Sequence, residues 1–201
     1  MPIDASALTA NVHGAGAATG LGRMGENRPV GYCHYYGYDL TNPQFDSVWP
    51  KIVEDTERII TRVRDAGIPI GNTRAGNPRW AGVEVIAFDG GDSDDLGGPG
   101  PVIFRVVPPT YWQQPRNGSI SEVIKTARLP YDLAVTAVLL RCHMLLPAAF
   151  AIHSDGAWDE EWLYGATGPI PGGLGARAVV AELFGDAPTA CPFDRERALL
   201  L

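Results

Sequence analysis

Leu133-Ala-Val-Thr-Ala-Val-Leu-Leu-Arg-Cys-His-Met-Leu-Leu-Pro-Ala-Ala-Phe-Ala-Ile152 is the longest apolar run in this chain, and the fold class turns on how it is read. Its length is that of a membrane span. Arg141, His143 and Pro147 argue against that reading and divide the run in two. Leu133 to Leu146 reads as a helix with apolar residues on every side, and such a helix belongs in a protein interior. Pro147 stops it, because proline cannot continue the helical hydrogen-bond ladder. Ala148 to Ile152 then reads as a short interior strand. A buried helix joined to a buried strand by one short connection points to a helix-and-sheet domain in which the two run antiparallel.

Upstream, Gly31-Tyr-Cys-His-Tyr-Tyr-Gly-Tyr38 reads as a strand, whose period of two puts Tyr32, His34, Tyr36 and Tyr38 on one face. A helix is expected from about Ser47 to Ala66, with Val48, Ile52, Thr56, Ile59, Ile60 and Val63 as its apolar stripe. Ser47 suits its N-cap, Pro50 its first turn and Gly67 its stop, while Glu54 and Arg58 make an i,i+4 pair on the wet side. Val83–Phe88 and Pro101–Val107 read as strands around an acidic, glycine-rich loop. Downstream, a helix carries Trp158 and Trp162, a Pro/Gly loop covers Gly168 to Gly175, and a last helix spans about Ala176 to Phe184 before Gly185. The expected fold is α/β (α+β): one domain over residues 30–201, with a small mixed β-sheet packed by about four helices. Residues 1–29 form a flexible Gly/Ala-rich tail, expected to order only against another chain or its own domain.

The chain has 201 residues, 45% of them hydrophobic and 19% charged, so a core can form without disulfides or metals. A net charge of −7 argues against nucleic acid as a partner. Cys33, Cys142 and Cys191 have neither zinc-ligand nor redox spacing, which suits a reducing compartment. The start of the chain has no charged segment leading into an apolar one, so no secretory signal is expected. These readings imply a cytoplasmic protein, of a bacterial or phage-infected cell, or a virion component; neither a membrane nor a metal is expected, and no cofactor is indicated.

The densest polar cluster is Ser121-Glu-Val-Ile-Lys-Thr-Ala-Arg-Leu-Pro-Tyr-Asp132. Lys125 is one of only two lysines, with Lys51. Lys125, Thr126, Arg128 and Tyr131 gather donors beside Asp132 at the start of a helix, where the helix dipole favours anions. These five are the candidate ligand-binding residues. The structural alternative has Asp132 capping the helix and the cations balancing nearby carboxylates. The turn His153-Ser-Asp-Gly156 follows the interior strand, where ligand groups collect in open sheets, so His153 and Asp155 are the candidate catalytic base and orienter. Against this, Ser154 or Asp155 is an ordinary N-cap. If the site exists, His153 and Asp155 approach Lys125, Arg128 and Asp132. Asp89, Asp92, Asp94 and Asp95 lack calcium-loop spacing and read as a solvated loop. The tyrosine strand face suits ring stacking, a subunit interface or sheet packing, and His143 reads as a satisfied core histidine. There is no phosphate loop, nucleophile elbow or His-Glu-x-x-His motif.

Lys125-Thr-Ala-Arg-Leu-Pro-Tyr-Asp132, with Val135, Ala137 and Leu139 behind it, resembles a motif of uncharacterised bacterial and phage proteins. Three more features match: the strand end Phe88 to Gly90, Ser154-Asp-Gly156 before a Trp-bearing helix, and a final short helix ending in Gly. The resemblance covers roughly residues 68 to 185. It implies a shared framework and no activity. Two functions follow from the sequence as a whole. The first is a non-enzymatic interaction or assembly protein, phage-derived and homo-oligomeric. The second is a small hydrolase or transferase acting on an anionic, phosphate-bearing ligand.

Overall fold

The computed structural model describes residues 31–71, 83–91, 99–166 and 174–201. The tail, the expected loop at Arg74 to Pro78, the acidic positions Asp92, Asp94 and Asp95 and most of the Gly168 to Gly175 loop lie outside the described residues. In chain order the elements are β1 (Cys33–Asp39), α1 (Phe45–Asp65), β2 (Val85–Asp89), β3 (Pro99–Phe104), β4 (Ser119–Lys125), α2 (Asp132–Leu145), β5 (Phe150–Ser154), α3 (Glu161–Tyr164), α4 (Ala176–Phe184) and α5 (Arg195–Leu200). The apolar run thus becomes α2 and β5, divided at Pro147. Every α2 residue from Asp132 to Leu140 is buried, as an all-round apolar helix demands. No helix among the described residues is long and apolar enough to cross a membrane.

The α+β single-domain class stands, with one difference in the sheet. Among the described residues the strands pair antiparallel in two sheets, β4-β1-β5 and β2-β3, where one mixed sheet was expected; a single parallel bridge, Ile152 to Phe193, lies outside the strands. β4 and β5 both run against β1, so they are parallel to each other, and α2 connects them across the strand inserted between. The second sheet meets the first through tyrosine tips. The Tyr36 hydroxyl donates to Val102 O at 3.0 Å, and Phe104 N–H donates to the Tyr38 hydroxyl at 3.1 Å. Those hydroxyls satisfy backbone groups of β3 that a ladder would otherwise serve.

The four residues expected on one face, Tyr32, His34, Tyr36 and Tyr38, are all buried, so that face packs against the core. Tyr38 stacks with Phe150 and Phe45 at ring distances of 5.8 and 5.9 Å, and Phe45 continues to Trp49 at 5.8 Å. α1 starts at Phe45, ahead of Ser47. Ser47 does not cap it; its hydroxyl donates back to Gln44 O at 2.9 Å, and Pro50 falls inside the helix. Nor is Glu54–Arg58 the pair that forms. Lys51 lies 3.2 Å from Glu54 and 2.8 Å from Asp55, while Arg58 covers the Phe184 ring. Asp55 is buried because Arg141 of α2 reaches it at 2.7 Å.

The expected Trp-bearing helix shrinks to α3, with Trp158 in the turn before it; both rings are buried, 5.8 Å apart. The α4 reading from Ala176 to Phe184 matches, closed by Gly185 at a left-handed φ of 78°. α5 was not foreseen. Asp194 caps it, accepting from Arg197 N–H at 2.9 Å. It packs on the outer face of β1 because Gly37 has no side chain there. A Cβ on Gly37 would stand 2.9 Å from both Ala198 O and Leu201 Cβ.

Candidate functional site

β1 carries His34 directly opposite Ser154 of β5, so both side chains share the inner face of the sheet. Asp132 arrives beneath them as the first residue of α2. The chain leaves β4 and turns back through Ala127 and Arg128, both in the left-handed region at φ 51° and 59°. Two successive non-glycine residues there are costly and persist only where the surroundings fix them. Ala127 N–H donates to Tyr32 O at 3.4 Å, and Thr126 turns its hydroxyl inward.

The result is a buried polar chain. His34 Nδ1 lies 2.9 Å from Ser154 Oγ, and His34 Nε2 lies 2.6 Å from Asp132 Oδ1. The Thr126 hydroxyl donates to the same Asp132 oxygen. Ser154 Oγ also accepts from Gly156 N–H at 2.8 Å and from Trp162 Nε1–H at 3.0 Å. A hydroxyl has two lone pairs and one hydrogen. Both lone pairs are taken, so the hydrogen points to His34 Nδ1, which must accept. That fixes the Nε2–H tautomer, and Nε2–H donates to Asp132. Every hydrogen-bonding atom of the serine and the imidazole is therefore used inside the fold.

Around this chain, Tyr32 sets its ring edge-on to His34 at 5.2 Å. Its hydroxyl is buried over Gly156 with no hydrogen-bond partner among the described residues. Burial pushes that phenol well above its ordinary range, and the charges of Asp132 and Glu161 push it the same way. Arg128 lies over the Tyr32 ring at 4.1 Å and reaches Glu161 at 3.3 Å. Glu161 is held below the usual carboxylate range. Burial opposes this, but the Ala157 N–H and Arg128 outweigh it.

The candidate residues named from sequence divide between the two faces of the sheet. Thr126, Tyr131 and Asp132 are buried on the inner side, and the Tyr131 hydroxyl donates to Lys125 O at 3.4 Å. Asp132 does not cap α2; Tyr131 holds the N-cap position without a side-chain bond, and the Asp132 carboxylate serves His34 and Thr126. Lys125 is exposed on the outer face, opposite Cys33. His153 also faces outward, because it is one residue from Ser154 on a strand. Its ring lies tilted beside Tyr35 at 5.7 Å and meets Phe193 edge-on at 5.9 Å. Burial and the nearby Arg195 hold its pKa below the ordinary histidine value. Asp155 does not orient His153. Its carboxylate accepts from Cys33 N–H at 2.9 Å and its own N–H donates to Cys33 O at 3.0 Å, fastening β5 to β1. The meeting expected of His153 with Asp132 is made by Ser154 and His34 instead.

His34 and Ser154 are the residues that sequence reasoning left out of the site. The available signal was period two: His34 shares the inward face of the tyrosine strand, and Ser154 shares that of Ile152. His143 is half-buried and donates from Nδ1 to Phe150 O at 2.7 Å. Asp89, the described member of the acidic loop, accepts from Gly91 N–H at 2.8 Å. Among the described residues no group of three His, Cys, Asp or Glu is placed to hold a metal.

The outer side of the three-stranded sheet is only partly covered by α5. Val123 on β4 is 52% exposed, and Leu199 and Leu200 are 43% and 76% exposed. The Ser121 hydroxyl donates to Leu199 O at 3.3 Å, which sets the end of α5 beside β4. Along the β4 edge the Tyr111 hydroxyl reaches Glu122 at 2.8 Å and Gln113 Nε2 reaches Ser121 O at 2.5 Å, leaving Trp112 between them 48% exposed. Comparison with family models, with curated proteins and with solved structures finds no match for this chain.

Proposed function

We propose that this protein is a non-enzymatic interaction or assembly module that works as a homo-oligomer, using the outer side of its three-stranded sheet. The observation that carries this reading is the exposure of Val123 on β4 and of Leu199 and Leu200 on α5, which is held beside β4 by the Ser121 bond to Leu199 O. Apolar side chains gathered at one place on a surface, rimmed by charges such as Lys125, mark a contact surface more often than scattered ones do. The polar chain at Ser154 supports it from the other side, since its donors and acceptors are consumed within the fold. Its role here is to pin β1, β5, α2 and α3 together. The mass of the full chain in solution, measured by light scattering from micromolar to millimolar concentration, tests the reading. A dimer or larger assembly is expected, and a monomer throughout overturns it.

One observation favours a second reading, a small hydrolase or transferase acting on an anionic, phosphate-bearing ligand. Asp132, His34 and Ser154 make the carboxylate–imidazole–hydroxyl series of nucleophilic catalysis. For Ser154 to attack, Oγ must give up the Gly156 or Trp162 hydrogen bond to free a lone pair. A fluorophosphonate probe decides between the readings. In that reaction the Ser154 Oγ–P bond forms, the P–F bond breaks, the hydroxyl proton passes to His34 Nδ1 and fluoride leaves. A phosphonyl adduct on Ser154 that disappears in His34→Ala would establish the enzyme. An unlabelled, folded protein leaves the interaction module.

A further inference from the structure

Resting on the second reading, with Ser154 as nucleophile, we infer that the Tyr32 hydroxyl is the donor that holds the substrate's phosphoryl oxygen, with the Gly156 N–H as its partner. Among the described residues the Tyr32 hydroxyl is buried and makes no hydrogen bond. Buried hydroxyls are nearly always paired, so an idle one calls for a reason. Its ring stands edge-on to His34 at 5.2 Å, and its oxygen sits against Gly156. A Cβ on Gly156 would collide with that oxygen and stand 3.2 Å from Ser154 Oγ. The phenol and the serine hydroxyl therefore border the same spot, one that only a glycine leaves open.

The count of bonds at Ser154 keeps the phenol free. Gly156 N–H and Trp162 Nε1–H take both lone pairs of Oγ, and its hydrogen goes to His34. No position on Oγ is left for Tyr32. The phenol keeps its proton at neutral pH, because burial and the charges of Asp132 and Glu161 disfavour its anion. It is thus a neutral donor beside the nucleophile, without an acceptor among the described residues.

Attack supplies that acceptor. One Oγ lone pair becomes the bond to phosphorus, the hydroxyl proton passes to His34 Nδ1, and the bond to the leaving oxygen breaks with its electron pair. His34 then gives the proton to that oxygen. The N–H that held the reacting lone pair, that of Gly156, turns to the phosphoryl oxygen, and Tyr32 donates to the same atom. Phosphoryl transfer carries its charge on the equatorial oxygens, and donors fixed at one of them lower the barrier. Arg128 acts through Tyr32: its guanidinium lies over the ring at 4.1 Å, where its charge strengthens the O–H as a donor and draws in an anionic ligand. Solvent is close, since Asp155 and Ala157 on either side of Gly156 are exposed and Arg128 is partly so.

The rate at which a fluorophosphonate labels Ser154, compared between the wild-type chain and Tyr32→Phe, tests this. The variant keeps the ring and loses only a hydroxyl that the fold leaves unpaired, so a merely structural hydroxyl would leave the rate unchanged. Labelling should instead be about 10²-fold slower, the cost of losing one oxyanion donor. A slowing of less than about tenfold overturns the inference and leaves Ser154 as nucleophile. A wild-type chain that is not labelled at Ser154 overturns both. Circular dichroism checks that the variant is folded. Should it unfold, a ring-fluorinated tyrosine placed at position 32 decides alone. Its more acidic phenol is the stronger donor, so faster labelling is expected, and an equal or slower rate overturns the inference.

Discussion

Ser154 Oγ lies 2.9 Å from His34 Nδ1, joining positions 120 residues apart in sequence on paired antiparallel strands. Ser154→Ala removes the acceptor of Gly156 N–H and Trp162 Nε1–H and the donor to His34 at once. Each stranded buried group costs about 1–3 kcal/mol, without strict additivity. A clear fall in the urea midpoint at unchanged slope is expected. A loss within about 0.5 kcal/mol, the range of ordinary surface changes, would show that Ser154 does not hold the fold together.

Asp132 tests the other end of the chain. Asp132→Ala leaves His34 Nε2–H and the Thr126 hydroxyl without an acceptor, whereas Asp132→Asn keeps one carbonyl oxygen for both. The asparagine variant should be the more stable of the two. Equal urea midpoints for the two variants would count against an acceptor role for this side chain.

Leu139 is fully buried in α2. Leu139→Ala should cost about 2–5 kcal/mol through lost contacts and the cavity left behind. Thermal or urea unfolding measures it. A loss below about 1 kcal/mol would place the centre of the core elsewhere.

Helices α1, α2 and α4 and the shared face of the β1 tyrosines were legible because their patterns are local. Pro147 ends α2, Gly185 ends α4, and Tyr36 and Tyr38 follow a period of two. β4 was not legible. Its inward positions are Ile120, Glu122 and Ile124, so a carboxylate sits where alternation calls for an apolar residue, and only the Tyr111 hydroxyl explains it. α5 stayed hidden because its place depends on Gly37, far away in the chain. The candidate site was half legible. Thr126 and Asp132 were named for a local cluster, but their partners His34 and Ser154 come from two other strands. Which of His153 and Ser154 faces inward depends on the strand boundary, and a shift of one residue exchanges them.

Glu122 gives a pH prediction. Burial raises its pKa, with the Tyr111 hydroxyl partly opposing. The native state therefore holds the proton more tightly than the unfolded chain does. As pH rises through the carboxylate range, the native carboxyl ionises at a cost the unfolded one does not meet, so this group lowers stability. Glu122→Gln keeps a carbonyl acceptor for Tyr111 and removes the ionisation. The variant should gain stability relative to wild type from acid to neutral pH. A pH-independent difference in urea midpoint would show that Glu122 titrates as an ordinary carboxylate.

Gly37 controls whether α5 can close on the sheet. In Gly37→Ala the new methyl meets Ala198 O and Leu201 Cβ at 2.9 Å, closer than carbon contacts allow, and one contact is backbone. The least costly relief is displacement of α5, a helix of six residues held by the Asp194 cap and by Arg197, which donates to Pro147 O at 2.8 Å. The strands beneath pair through bonds that do not involve α5. Hydrogen exchange should therefore rise across residues 195–200 while β1 and α2 amides stay protected. Loss of protection throughout the chain would mean that α5 is part of the cooperative core. Unchanged protection in α5 would mean that the sheet yields instead.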